Sequence, residues 1–368
     1  MKELFREFNS TDRAVYLLRK LYGGYGFKQY RMSKFEEYDL YVKNKDFLMS
    51  ENVITFTDTD GKLMALKPDV TLSIIKNGTS GANVEKVYYN ENVYRVSKGT
   101  NSFKEFMQVG LECFGNIDEY AISEVVYLAV KSLETVADEY ILDVSSLSVV
   151  KGIINFAGLS ELGAKKVINC LSEKNAHGVL SVCKEENVPQ EKAQILKKLV
   201  TTYGEPKSVI AQLKNLEVGG IIDKPIKELE QLINSLISLG VGDKIRIDFS
   251  VVSNMNYYNG IVFKGFVSGI PTSIISGGQY DNLMKKMKRT DRAIGFAVYL
   301  DELEKLCAKD TGFDVDVAVL YQVGQDVTLI NKTVKEITDN GETVFVASSI
   351  PENLKYKRKV EIEGGNKR

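Results

Sequence analysis

The chain has a single histidine, His177, which falls in a polar helical stretch and reads as a surface residue. Its four cysteines, Cys113, Cys170, Cys183 and Cys307, lie far apart and form no CxxC pair. Histidine-based triads, zinc sites and a disulfide framework therefore lack their parts, and no metal or cofactor is expected. A reducing cytoplasm fits that cysteine usage. Neither sign of charge is in excess: 48 Lys and Arg stand against 49 Asp and Glu, a net of −1. The basic surplus usual in nucleic-acid-binding proteins is missing. No uninterrupted apolar run is long enough to span a bilayer. Met1 leads into KELFRE, which is neither a signal peptide nor a lipidation signal.

What is present is an ordinary globular composition, 44% hydrophobic and 26% charged over 368 residues, enough for two or more domains. Capping residues at Asn9 to Asp12 and the apolar spacing predict a helix over about 11–22, ended by Gly23, Gly24 and Gly26. Residues 53–67 alternate as strands around an Asp60-Gly61 hairpin signal, and a helix follows Lys67-Pro68-Asp69-Val70-Thr71. Asp69 suits the cap of that helix as well as a binding role. Residues 84–114 read as two aromatic-rich strands joined by a Gly-Thr-Asn-Ser loop. Gln108, Gly110 and Glu112 share one strand face, with Arg95 on the neighbouring strand. That face suits a polar pocket for a zwitterion; spacing alone favours an exposed sheet face with ordinary cross-strand pairs.

A helix over 119–138 leads to a strand, YILDVSSLSVV, and then to helical periodicity from 151 to 240. Strands resume at Lys244, with a turn at Asn259-Gly260. The segment 275–303 gives a Gly-Gly turn, a basic run and an apolar strand entering a helix. Residues from Asp314 read as one βαβ-like unit, and ENLKYKRKVEIEGGNKR as a charged, frayed tail.

Four separated segments, MALKPDVT, NVYRVSKGTNSFKEFMQVGLECFG, VVSNMNYYNGIVF and SGGQYDNL with RAIGFAVYLDEL, resemble in order the core of a class II aminoacyl-tRNA synthetase of the histidyl type. The resemblance covers about residues 5 to 310. It implies an α+β fold: an antiparallel sheet flanked by helices over 1–150 and 241–310, with a helical insertion over 151–240. Residues 311–368 would form a short C-terminal α/β segment like a truncated anticodon-binding domain. YGFKQYRMSKFEEYDLY resembles the dimer-forming motif without its usual proline.

By the same resemblance Asp69, Thr71 and Gln108 would receive the α-ammonium of histidine. Glu112 and Tyr258, of the Tyr257-Tyr258 pair, would receive the imidazole, and Arg95 the carboxylate. Positions that serve catalysis or ATP in the synthetases differ here. An acidic position is Ser97, the catalytic arginine is Ser253, and a loop arginine is Gln279. The glycine beside the adenine is Tyr299, which would crowd the base. The phosphate-holding arginine is Glu302. At ~4 Å and an effective dielectric of ~20, a carboxylate there opposes a phosphate by roughly 4 kcal/mol.

A retained histidine pocket beside a lost ATP site is similar to the ATP phosphoribosyltransferase regulatory-subunit family. That resemblance implies a subunit without its own catalysis. It would assemble with a short-form catalytic subunit for the first step of histidine biosynthesis, self-associate as a dimer through the core, and take L-histidine as feedback ligand. An active histidyl-tRNA synthetase is opposed by Ser253, Tyr299 and Glu302. A tRNA-binding sensor is opposed by the neutral charge and the short C-terminal segment.

Overall fold

The computed structural model describes residues 10–44, 53–78, 83–97, 102–252, 257–307 and 313–362. The chain splits into two compact units, Met1–Leu306 and Cys307–Arg368.

The first unit opens with α1 (Ser10–Gly24), which runs through Gly23 and Gly24 and turns at Gly26, where φ is +79°. A positive φ of that size is costly for any residue with a Cβ. Next come β1 (Lys28–Gln29), β2 (Phe35–Glu37), α2 (Tyr38–Val42) and the hairpin β3 (Thr55–Thr57) and β4 (Leu63–Leu66). The strands β2, β4 and β3 form a small antiparallel sheet. The Asp60-Gly61 turn forms as the sequence predicts, with the Asp58 carboxylate accepting from the amides of Asp60 and Lys62. Then follow α3 (Thr71–Asn77), β5 (Glu85–Val96), β6 (Phe103–Gly115) and α4 (Glu119–Val136). Most of the loop expected between β5 and β6 lies outside the described residues.

β7 (Tyr140–Ser146) stops earlier than its apolar pattern predicts. The Ser146 hydroxyl caps the next helix by accepting from the Val149 amide, so Leu147, Val149 and Val150 are buried on a helix rather than in a strand. Six helices follow: α5 (Leu147–Ala157), α6 (Glu161–Ser172), α7 (Ala176–Glu185), α8 (Gln190–Thr201), α9 (Pro206–Lys214) and α10 (Asp223–Ser238). The short β8 (Tyr203–Gly204) lies between α8 and α9, and β9 (Ile245–Asp248) follows α10. The unit closes with β10 (Ile261–Val267), β11 (Ile275–Gln279), α11 (Asp281–Lys286), β12 (Arg292–Tyr299) and α12 (Leu300–Cys307). His177, on α7, is exposed, as expected.

The main sheet has the order β1-β5-β6-β12-β11-β10-β7-β9-β8 and is antiparallel except at β1–β5 and β7–β9. Its two faces differ. On β6 the odd-numbered Val109, Leu111 and Cys113 join a core with Val125, Leu128, Ala129 and Leu133 of α4, all fully buried. Each of these Val and Leu side chains contributes roughly 1.5–3 kcal/mol. The even-numbered residues of β6 face the opposite way, toward α3 and a group of buried tyrosines.

In the second unit β13 (Val315–Leu320), α13 (Val327–Asp339), β14 (Val344–Ala347) and β15 (Tyr356–Glu361) form a parallel sheet of order β14-β13-β15. β15 corrects the expectation of a frayed tail as far as Ile362; residues 363–368 lie outside the described residues. Val360 and Ile362 pack on the small core, while Lys357, Arg358 and Lys359 pair with Asp316, Glu342 and Glu361. Charge alone reads as a tail; the apolar residues between the charges make it a strand.

Candidate functional site

The pairing register lays out the floor of the site. On β5, β6, β12 and β11 every second residue faces the same way. One row reads Val87, Glu112, Gly295, Gly278. The next reads Tyr89, Gly110, Ala297, Ser276, and the last Glu91, Gln108, Tyr299. The small residues are required. A Cβ at Gly295 would collide with the Glu112 carboxylate, and one at Gly110 with the Tyr89 hydroxyl. Asp69 and Thr71, Arg95 from the end of β5, and Tyr257, Tyr258 and Tyr280 complete a narrow cavity of about 60 Å³.

The closed end is built around Glu112, 2% exposed. Thr71 Oγ1 donates to Glu112 Oε1 at 2.7 Å, and the Tyr280 hydroxyl donates to Oε2 at 2.6 Å. Burial pushes the Glu112 carboxyl up to about 8, against the pull of these two donors. A group that desolvated favours its neutral form unless a donor or cation stabilises the charge. Burial likewise raises the Tyr89, Tyr257, Tyr258 and Tyr280 phenols well above their ordinary range, so they serve as neutral hydroxyls.

The mouth is partly exposed at Asp69, Arg95, Tyr258, Ser276, Ala297 and Tyr299. Arg95 Nε donates to the Pro68 carbonyl at 3.0 Å. Asp69 Oδ1 accepts from the Leu72 amide at 3.0 Å, so it does secure the start of α3 while also lining the cavity. Burial raises the Asp69 carboxyl, opposed by the Leu72 amide and by Arg95. Arg95 is the one cation among the described lining residues. Nearby Lys67, 1% exposed, is neutralised by Glu91. The far end of α3 is held by buried Arg289, which donates to the carbonyls of Ile75 and Gly78 and pairs with Asp291. That clamp fixes the helix whose first residue is Thr71.

All seven candidate binding residues, Asp69, Thr71, Arg95, Gln108, Glu112, Tyr257 and Tyr258, line this one cavity, and Tyr299 joins them. Thr71, which the resemblance puts at the ammonium, donates its hydroxyl proton to Glu112 at the closed end, and its oxygen keeps lone pairs that can accept. Gln279 is not in the lining: its Oε1 accepts from the Ile261 amide at 2.7 Å, on the other side of the strand. Glu302 is also outside, accepting from Thr272 Oγ1 at 2.8 Å. Ser97 lies just past β5 and does not line the cavity. Ser253 lies outside the described residues. Sequence reasoning missed Tyr280, Tyr89 and Ser276 as lining residues. Tyr280 was visible in the Gly-Gly-Gln-Tyr-Asp segment, but its bond to Glu112 spans 168 residues and needs the fold.

A larger cleft of about 780 Å³ lies on the other side of residues 259–261, bounded by α4, α10, Gln279, Asp281 and Arg292. It holds none of the seven residues, and its Arg292 sits 3.8 Å from Asp281. The narrow cavity is the better candidate because its buried acid and fixed donors converge on one point.

The family model described as histidyl-tRNA synthetase matches residues 4–303. An ATP phosphoribosyltransferase regulatory subunit from Ruminiclostridium cellulolyticum is 26% identical over 306 residues, 82% of this chain and 73% of the relative. Among solved structures, an ATP phosphoribosyltransferase regulatory subunit/histidyl-tRNA synthetase from Bacillus halodurans superposes with a TM-score of 0.79 at 22% identity, covering 96% of this chain and 93% of that one. A chain of the ATP phosphoribosyl transferase complex from Thermotoga maritima gives 0.63 at 17% identity, covering 80% and 98%. These likenesses carry the class II synthetase fold.

Proposed function

The chain belongs to the histidyl-tRNA synthetase family, and from that premise we propose that it is a regulatory subunit of ATP phosphoribosyltransferase, without catalysis of its own, whose pocket binds L-histidine. The regulatory-subunit relatives and the Thermotoga maritima complex support that role and a short-form catalytic subunit as partner. Self-association as a dimer through the core belongs to the same reading.

The observation that carries the ligand is the closed end. Glu112 is buried, has both oxygens oriented by hydroxyls, and faces a cavity whose other end holds Asp69, Gln108 and Arg95. An imidazole N–H supplies the donor that a buried carboxyl needs, with Tyr258 beside it. Asp69 and Gln108 accept from the α-ammonium, and Arg95 pairs with the carboxylate. Amino-acid activation by ATP needs cationic clamps on the phosphates. With Arg95 the sole lining cation among the described residues, and Glu302 turned to Thr272, the site is poor in them.

Histidine regulates the partner by favouring one assembly state over another, and such coupling typically amounts to about 1–3 kcal/mol. The direct test is calorimetric titration with L-histidine beside an ATP–pyrophosphate exchange assay. Saturable binding without exchange is expected. Histidine-dependent exchange would return the chain to aminoacylation.

A further inference from the structure

We propose that Tyr299 makes the pocket selective for an amino acid whose carboxyl group is free, and that ligands extended beyond that group are rejected. Tyr299's role rests on the histidine reading of the same pocket. On its floor face β12 presents Ala293, Gly295, Ala297 and then Tyr299, so the ring is the one bulky residue and stands at the end of a lane of small ones. The neighbouring strands continue the lane with Gly110, Ser276 and Gly278.

From the row of Glu112 and Gly295 to the row of Gln108 and Tyr299 is four residues of strand, about 14 Å at ~3.4 Å per residue. Glu112 stands at one end of that span, and Gln108 and Tyr299 at the other. In length that span suits one amino acid lying along the lane, with its side chain at Glu112.

Tyr299 also stands where the charged end of that ligand must lie. The charges of Arg95 and Asp69 both act on its phenol. Its backbone does not yield, because the Tyr299 amide donates to the Ile274 carbonyl at 2.8 Å and β12 lies between β6 and β11 in the middle of the sheet. An ester, an N-substituted amide or an acyl-adenylate must displace the ring or overpack against it. The pocket therefore reports free histidine and is blind to its activated or esterified forms.

Calorimetric titration of the full chain with L-histidine, L-histidinamide and L-histidine benzylamide separates size from charge, because both amides lack the carboxylate. We expect the benzylamide to bind the unmodified chain at least about tenfold more weakly than the histidinamide. In Tyr299→Ala the two amides should come within about threefold of each other; Tyr299→Leu serves if Tyr299→Ala does not fold. Equal binding of the two amides by the unmodified chain, or an unchanged ratio in the variant, overturns the role of Tyr299 while leaving histidine binding intact. Failure of L-histidine itself to bind overturns the pocket assignment, and Tyr299's role with it.

Discussion

The closed end of the pocket and its mouth share the same strands but are stabilised in different ways. At the closed end a single carboxyl is buried and held by two hydroxyls drawn from segments far apart in the chain. At the mouth an opposite-charge couple, Asp69 and Arg95, sits partly exposed. Burial strengthens every polar contact at the first, whereas water and salt weaken those at the second. On the proposed reading, the closed end decides which side chain is accepted. On the same reading, the mouth sets how strongly the charged end is held, and Tyr299 how far a ligand extends.

The largest break in that comparison is Glu112→Ala. It removes the acceptor and leaves the Thr71 and Tyr280 hydroxyls without theirs, so histidine affinity should fall by about 100-fold or more. Assembly with the catalytic subunit, followed by size-exclusion chromatography, should be unaffected; unchanged affinity would remove Glu112 from the site. Arg95→Ala acts at the mouth and should cost about tenfold. The difference between this variant and its parent should shrink in about 0.5 M salt. Full affinity in Arg95→Ala would leave the arginine only its structural bond to Pro68.

Tyr280→Phe takes one donor from the closed end, with an expected loss of about fivefold that salt does not reduce. The smallest effect is on stability. The Glu112 carboxyl ionises near 8 in the folded chain against an ordinary value of 4.5. A carboxyl raised on folding contributes stability that is fully present below 4.5 and lost as pH rises through about 8. Glu112→Gln cannot ionise, so its Tm should gain on the parent by roughly 2 °C or more between about pH 6 and about pH 9. A constant difference across that range would show that Glu112 is not desolvated.

Much of this was legible in the sequence. The alternation of Gln108, Gly110 and Glu112 placed them on one face, and the hairpin at Asp60-Gly61 followed from turn chemistry. Three features were not legible. Ser146 ends β7 because its hydroxyl finds a helix amide, a local choice that the apolar pattern through Val150 conceals. β15 was hidden by its charges, whose partners Asp316 and Glu342 lie on other elements of the same unit. At the site, residue types pointed to a pocket, but the bond from Thr71 to Glu112, 41 residues apart, could not be read from them. Gln279 turned away from the site because Ile261 offers its amide on the opposite side. Such choices depend on strand register, which periodicity within one strand does not fix.

The central claim is best tested by measuring phosphoribosyl-ATP formation by a short-form catalytic subunit from the same organism, alone, with this chain, and with this chain plus L-histidine. Activity that appears only with the chain and falls as histidine rises is the predicted result. A catalytic subunit that neither binds the chain nor changes its rate in its presence would contradict the account.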